Sequence, residues 1–202
     1  KKVTINQKSN RLALIIGNSK YQKQFQLRNA VSDASRLAAT LKKYSFEVDL
    51  VKNVSLLKFK KAVKQFGDKL KHIEPDPDAA GLFFYSGHAN QDNFAQNHMI
   101  PVDTDVLDFG KNTVNLEDIK TAIGKLKSGT GIILLDACRL PPQRLTSVQK
   151  ALVPLGLATI SAPTQTIIGF STRPGRFASD GKGGISPYTQ ALINNIEKYH
   201  QN

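Results

Sequence analysis

The sequence predicts an α/β fold: an open, mostly parallel sheet with helices on both faces. Three observations carry that expectation. Short continuous aliphatic runs recur, as in RLALIIG at Arg11 to Gly17 and IILL at Ile132 to Leu135, and such runs suit strands covered on both faces. Segments with apolar residues at helical spacing alternate with them, the order that builds parallel sheets. Two runs, GLFFYSGH at Gly81 to His88 and GIILLDACR at Gly131 to Arg139, end on reactive side chains. In open parallel sheets, sites form at the carboxyl ends of strands.

Taken in order, Lys1 to Asn10 is polar and reads as an extended lead-in. Arg11 to Gly17 is the first strand, closed by the Gly17-Asn18 turn signal. Ala30, Ala34, Leu37, Ala38 and Leu41 then mark a helix over Asn29 to Lys43, and Phe46 to Val51 is a second strand. Leu56 to Ile73 is a second helix, with Phe59, Val63, Phe66, Leu70 and Ile73 on one face and lysines opposite. Pro75-Asp76-Pro77-Asp78 breaks it before a third strand, Ala79 to Ser86. Ala89 to Gly110 is rich in Asn and Asp and is expected to make a small hairpin over the sheet edge. Leu116 to Lys127 is a third helix, turned by Ser128-Gly129-Thr130 into the cysteine strand. Residues 140–163 hold Pro141, Pro142, Pro154 and Pro163 without periodicity, which marks a long loop. Gln165 to Ser171 is a fifth strand, and Arg173 to Gly184 is a glycine-rich loop. Ser186-Pro187 opens a last helix to about Tyr199, with proline at a tolerated first-turn position.

A chain of 202 residues fits one domain spanning 1–202. No apolar run reaches membrane-spanning length and no export signal is present, which favours the cytoplasm. The chain starts at Lys1 and its only methionine is Met99, so it reads as a piece from which flanking domains have been removed. One cysteine rules out an internal disulfide. The net charge of +12 invites a nucleic-acid partner. Against that, the lysines are spread opposite apolar helix faces, and no zinc-finger or RNA-binding aromatic signature accompanies them.

Side chains two apart on a strand share a side, so Asp136 and Cys138 should project together from the cysteine strand. A carboxylate beside a thiol disfavours the thiolate, and the pair makes sense if a cation regularly sits nearby. Neighbouring strands delivering His88 and Cys138 to one edge would make a nucleophile and its base. The plainer alternative for Cys138 is a buried structural thiol, countered by its strand-end position and the matching histidine. Asp33, early in the first helix, falls at the same edge, where a carboxylate also suits the helix dipole. His72, His98 and His200 lie in helical or polar stretches and are expected at the surface.

The segments RLALIIGNSKY, LRNAVSDA, FFYSGHA, MIPVD, LLDACR and FSTRPGRFASDGKGGISPYTQAL resemble, in order, the caspase-like cysteine peptidases. The likeness is closest to the metacaspase, paracaspase and bacterial orthocaspase branches and runs from about Arg11 to Ile196. SGH about 50 residues before DACR is a specific combination. The resemblance implies a Cys138–His88 dyad and an oxyanion hole from the backbone N–H groups of Cys138 and Ala89. The family usually has glycine where this chain has Ala89, and alanine resists positive φ. The resemblance also implies an S1 pocket built on Asp33 and Asp136, with Ser171 adding backbone bonds to an extended substrate. For Asp136 physical chemistry agrees, since a half-buried carboxylate is costly without a cation and a guanidinium fits it in fork geometry.

The function expected is therefore a cysteine endopeptidase cutting after basic residues, Arg preferred over Lys, through a thioester acyl-enzyme. Self-cleavage at Arg139, Arg144 or Lys150 would go with it. The alternative is a catalytically inactive caspase-like protein-interaction module, with Ala89 as its marker. The partners expected are protein or peptide substrates, with no membrane. No cofactor or metal is implied: Asp103, Asp105 and Asp108 suggest calcium, but their spacing is not an EF-hand loop.

Overall fold

The computed structural model describes residues 9–106, 111–138, 157–172, 181 and 183–199. Among the described residues, five parallel strands form the sheet: β1 (Arg11–Gly17), β2 (Glu47–Lys52), β3 (Ala80–Gln91), β6 (Thr130–Cys138) and β7 (Thr166–Phe170), in the spatial order β2-β1-β3-β6-β7. Two short antiparallel strands, β4 (Asn97–Met99) and β5 (Val114–Asn115), continue from the far end of β3. The helices among the described residues are α1 (Ala30–Lys43), α2 (Leu56–Lys71), α3 (Leu116–Ile123) and α4 (Pro187–Tyr199). The open, mostly parallel sheet expected from the sequence is the one observed.

Alternation along the aliphatic runs feeds two cores. Leu12, Leu14 and Ile16 of β1 pack with Phe59, Phe66 and Leu70 of α2 and Ile119 of α3 on one face. Ala13 and Ile15 pack with Ala34, Leu37 and Leu41 of α1 and Ile193 of α4 on the other. Both faces of β1 and of the first half of β3 are thus covered, which is why Leu12 to Ile16 and Leu82 to Phe84 are apolar at every position rather than at every second one. A Cβ on Gly17 would lie 2.5 Å from the Ala30 carbonyl oxygen, so β1 can meet the start of α1 only through a glycine.

The ends of elements differ from the sequence expectation where capping chemistry intervenes. α2 ends at Lys71 with His72 as its C-cap, and α3 ends at Ile123 with Gly124 as its C-cap, each short of the predicted end. The largest difference is in β3, which does not stop at Ser86 but runs on to Gln91. Asn90 and Gln91 are polar and carry no strand signal of their own. They are held as strand by pairing with His98 and Asn97 of the expected hairpin.

The surface lysines are partly tied down. Lys69 of α2 bonds Glu47 and Asp49 of β2 at 2.9 and 2.8 Å. Lys64 and Lys125 hydrogen-bond Asp68 and hold its carboxyl down at about 2. Among the described residues, no helix is long and apolar enough to cross a membrane.

Candidate active site

The parallel pairing of β3 with β6 sets Ser86 beside Asp136 and His88 beside Cys138. Neighbouring strands lie about 4.8 Å apart, so the imidazole-bearing and thiol-bearing residues are adjacent at one rim of the sheet.

His88 is fully buried, and its backbone and its ring are both fixed. Its ring Nε2 lies 2.6 Å from the Phe25 carbonyl oxygen. A carbonyl only accepts, so Nε2 carries the proton, and Nδ1 is the basic nitrogen of the neutral ring. The Tyr21 ring packs on the imidazole with centroids 4.5 Å apart. The His88 N–H donates to Tyr21 Oη at 3.0 Å, and its carbonyl accepts from Tyr85 Oη at 2.7 Å and from the Ile100 N–H at 3.0 Å. Burial, then the neighbouring Tyr21, pushes the Tyr85 hydroxyl well above its usual range and keeps it a donor. Gly87 makes room for both phenols: a Cβ there would lie 2.5 Å from Tyr85 Oη and 2.7 Å from Tyr21 Oη.

Successive peptide groups of a strand point to alternate neighbours. The Ser86 carbonyl accepts from the Asn18 N–H, and the His88 carbonyl from the Ile100 N–H, both on the β1 side. The Ala89 N–H therefore points the other way, toward the β6 edge where Cys138 lies. Ala89 is not among the residues with positive φ, so alanine meets no backbone strain here.

A second cluster sits one step along the same face. Asp33, in the first turn of α1, is buried and accepts from the Ser186 N–H at 2.8 Å and from Ser86 Oγ at 3.3 Å. Asp136 accepts from Ser186 Oγ and, at 2.8 Å, from Thr189 Oγ1. The structure thus brings together the two carboxylates singled out from the sequence, and it adds Ser86, Ser186 and Thr189 to them. Burial, and then the charge of Asp136, pushes the Tyr188 hydroxyl up to about 12. Ser86 was findable as the first residue of SGH, on the His88 side of the strand. Ser186 carried a helix-start signal before Pro187, and its Oγ accepts from the Thr189 N–H at 3.0 Å. Nothing in the sequence tied it to two acids far away in the chain.

Ser171 follows β7, and its N–H donates to the Leu135 carbonyl of β6 at 2.9 Å. Its N–H is therefore taken up within the sheet. His98, expected at the surface, is buried. Asp92 at 3.1 Å and Thr113 at 3.0 Å serve its two ring nitrogens and offset the cost of burying it. His72 is exposed, as expected, while His200, Asp108, Arg139, Arg144, Lys150 and the Cys138 side chain lie outside the described residues. Asp103 accepts from the Leu56 N–H at 2.8 Å, and among the described residues no group of acids, histidines or cysteines comes together as a metal site.

The sequence matches the model of the family described as the caspase domain over residues 10–202. It is 28% identical over 129 residues to mucosa-associated lymphoid tissue lymphoma translocation protein 1 of Homo sapiens, which covers 64% of this chain and 15% of that protein. The Mus musculus homolog matches to the same extent. The chain thus spans about a seventh of the length of these curated relatives. The fold resembles a crystal structure of protein GSU0716 from Geobacter sulfurreducens, with a TM-score of 0.65 and 14% identity over 94% of this chain and 82% of that one.

Proposed function

The chain belongs to the caspase domain family, and from that premise we propose that it is a cysteine endopeptidase using Cys138 as nucleophile and His88 as base. The observation that carries the proposal is the β3–β6 register, which pairs His88 with Cys138 while the Phe25 carbonyl holds the ring proton on Nε2. Nδ1 takes the thiol proton, and the thiolate attacks the substrate carbonyl carbon. The oxyanion is met by the N–H groups of Ala89 and Cys138. The C–N bond breaks as the imidazolium returns the proton to the leaving amine. Water, deprotonated by the same ring, then hydrolyses the thioester to an acid and the free thiol. The direction of the Ala89 N–H and its unstrained φ favour this reading over a catalytically inactive interaction module.

The substrate residue before the cut is basic. Asp33 and Asp136 are buried carboxylates on the Ser86 side of the dyad, and a guanidinium would meet such acceptors in fork geometry. This supports arginine over lysine there. Self-cleavage after Arg139, Arg144 or Lys150 would go with this reading, and intact mass before and after incubation, with Cys138→Ala alongside, tests it.

The experiment is hydrolysis of short reporter peptides ending in Arg, Lys or Asp, by the wild type and by Cys138→Ala. Turnover is expected in the order Arg, Lys, with none for Asp, and none at all in the variant. Turnover of the Asp peptide alone would overturn the pocket assignment. No turnover of any peptide, together with no labelling by a thiol-reactive arginyl inhibitor, would overturn the peptidase itself.

A further inference from the structure

Among the described residues, Asn90 alone has both polar side-chain atoms, Nδ2 and Oδ1, buried without a hydrogen-bond partner. Its side chain lies two residues past His88 on β3, and the residue is 3% exposed. Native interiors rarely leave a carboxamide in this state, because each unmet group carries its full desolvation cost. Nearby polar residues are served: His98, directly opposite Asn90, has Asp92 and Thr113, and the Asn97 side chain exchanges bonds with the backbone of Ala158. Among the described residues Ser171 Oγ, after β7, is also buried without a partner, but only at Asn90 do a donor and an acceptor go unmet together.

That point is set by strand alternation. Phe83, Tyr85 and Ala89 pack in the core under α2 and α3, while Leu82 and Phe84 pack toward α1 and α4. Ser86, His88 and Asn90 share the second side, and Ser86 confirms it by its bond to Asp33 on α1. The three are stepped about 7 Å apart along the strand. Ser86 stands at the acidic pocket and His88 at the cut bond. Asn90 stands on the far side of His88 from the pocket, where the departing half of a substrate must lie.

We propose that Asn90 positions the leaving segment of the substrate by binding the main chain of the first residue after the cut. A carboxamide offers one donor face and one acceptor face, which match the carbonyl and N–H of a peptide group. The proposal rests on the cysteine-endopeptidase reading and adds a residue that recognises the chain after the cut rather than before it.

The test compares two substrates with the same arginine-ending acyl half. One releases a small aromatic reporter amine, and the other continues for four residues to a quencher. Asn90→Leu keeps the branched side-chain shape, with somewhat more bulk, and deletes both polar atoms. It is expected to lower kcat/KM for the extended peptide about tenfold to a hundredfold, the size of two neutral hydrogen bonds, and to leave the reporter amide within about twofold. The melting temperature should hold or rise, because an unmet buried amide has been removed. Asn90→Ala gives the same comparison should the leucine disturb folding. Equal losses on both substrates, no loss on either, or a lower melting temperature in both variants would overturn the assignment. A wild type that cleaves both substrates with Asn90 neutral refutes this proposal alone, whereas a wild type that cleaves neither and is not labelled by the thiol-reactive arginyl inhibitor refutes the peptidase reading and this with it.

Discussion

Gly87→Ala should be among the most damaging single-carbon additions in the molecule. The added Cβ would lie 2.5 Å from Tyr85 Oη and 2.7 Å from Tyr21 Oη, and atoms do not approach so closely. Both phenols would have to move. Tyr85 Oη lies 2.7 Å from the His88 carbonyl and 3.0 Å from that of Ile100. Tyr21 Oη accepts the His88 N–H at 3.0 Å and reaches the Ile100 carbonyl at 3.0 Å. Losing two or three such buried bonds costs about 2–3 kcal/mol, and overpacking a tight site adds about 1–2 kcal/mol. A total near 4 kcal/mol is a large share of the 5–15 kcal/mol or so that stabilises a typical domain. Urea unfolding followed by circular dichroism measures it. Tyr85→Phe removes the nearer oxygen, so the double variant should be less destabilised than the sum of the two singles by about 1 kcal/mol or more. A loss below about 1 kcal/mol for Gly87→Ala, or strict additivity with Tyr85→Phe, would refute the packing argument.

Three further outcomes are expected. Asp92 accepts from the Phe94 and Gln96 N–H groups at 2.9 Å and from His98, so Asp92→Ala should cost about 1–2 kcal/mol of stability. Burial raises the Asp92 carboxyl, but those hydrogen bonds outweigh it and leave the group below its ordinary 3.8, so its contribution is present above that value and is lost as pH falls through the lowered one. The acid limb of a stability–pH curve should therefore be shallower in Asp92→Ala. Ser186→Ala removes the cap of α4 and a donor to Asp136, and should lower stability by about 1–2 kcal/mol in urea unfolding while raising the KM for arginine peptides. Asp136→Asn should lower kcat/KM for arginine peptides at least about tenfold through loss of a charge-assisted bond, and a variant equal to wild type would remove it from the pocket.

What was legible in the sequence follows from which forces set each feature. The apolar runs Leu12 to Ile16 and Leu82 to Phe84 could be read because burial on both faces leaves no position within them for a polar residue. The adjacency of His88 and Cys138 could be read because two runs of the same form end on them, and parallel pairing fixes the register. The continuation of β3 through Gln91 could not, because its strand state comes from pairing with β4. The burial of His98 was missed for a related reason: a hydrogen bond to Asp92 and one from Thr113 offset its cost, and no periodicity encodes them. Ser186 and Thr189 belong to the acidic cluster only because α4 returns to lie beside α1, a contact made late in the chain by Ser186 to Asp33. The need for Gly87 was likewise hidden, since it depends on where two tyrosine hydroxyls end.

Because the chain has a single cysteine, the pH dependence of its alkylation by iodoacetamide reports one thiol and tests the dyad directly. The account predicts half-maximal reactivity in the wild type well below the ordinary thiol value of about 8.5, and a return to or above it in His88→Ala. Superimposable profiles centred near about 8.5 in both proteins would mean that the imidazole does not act on the sulfur, and the proposed catalyst would not exist.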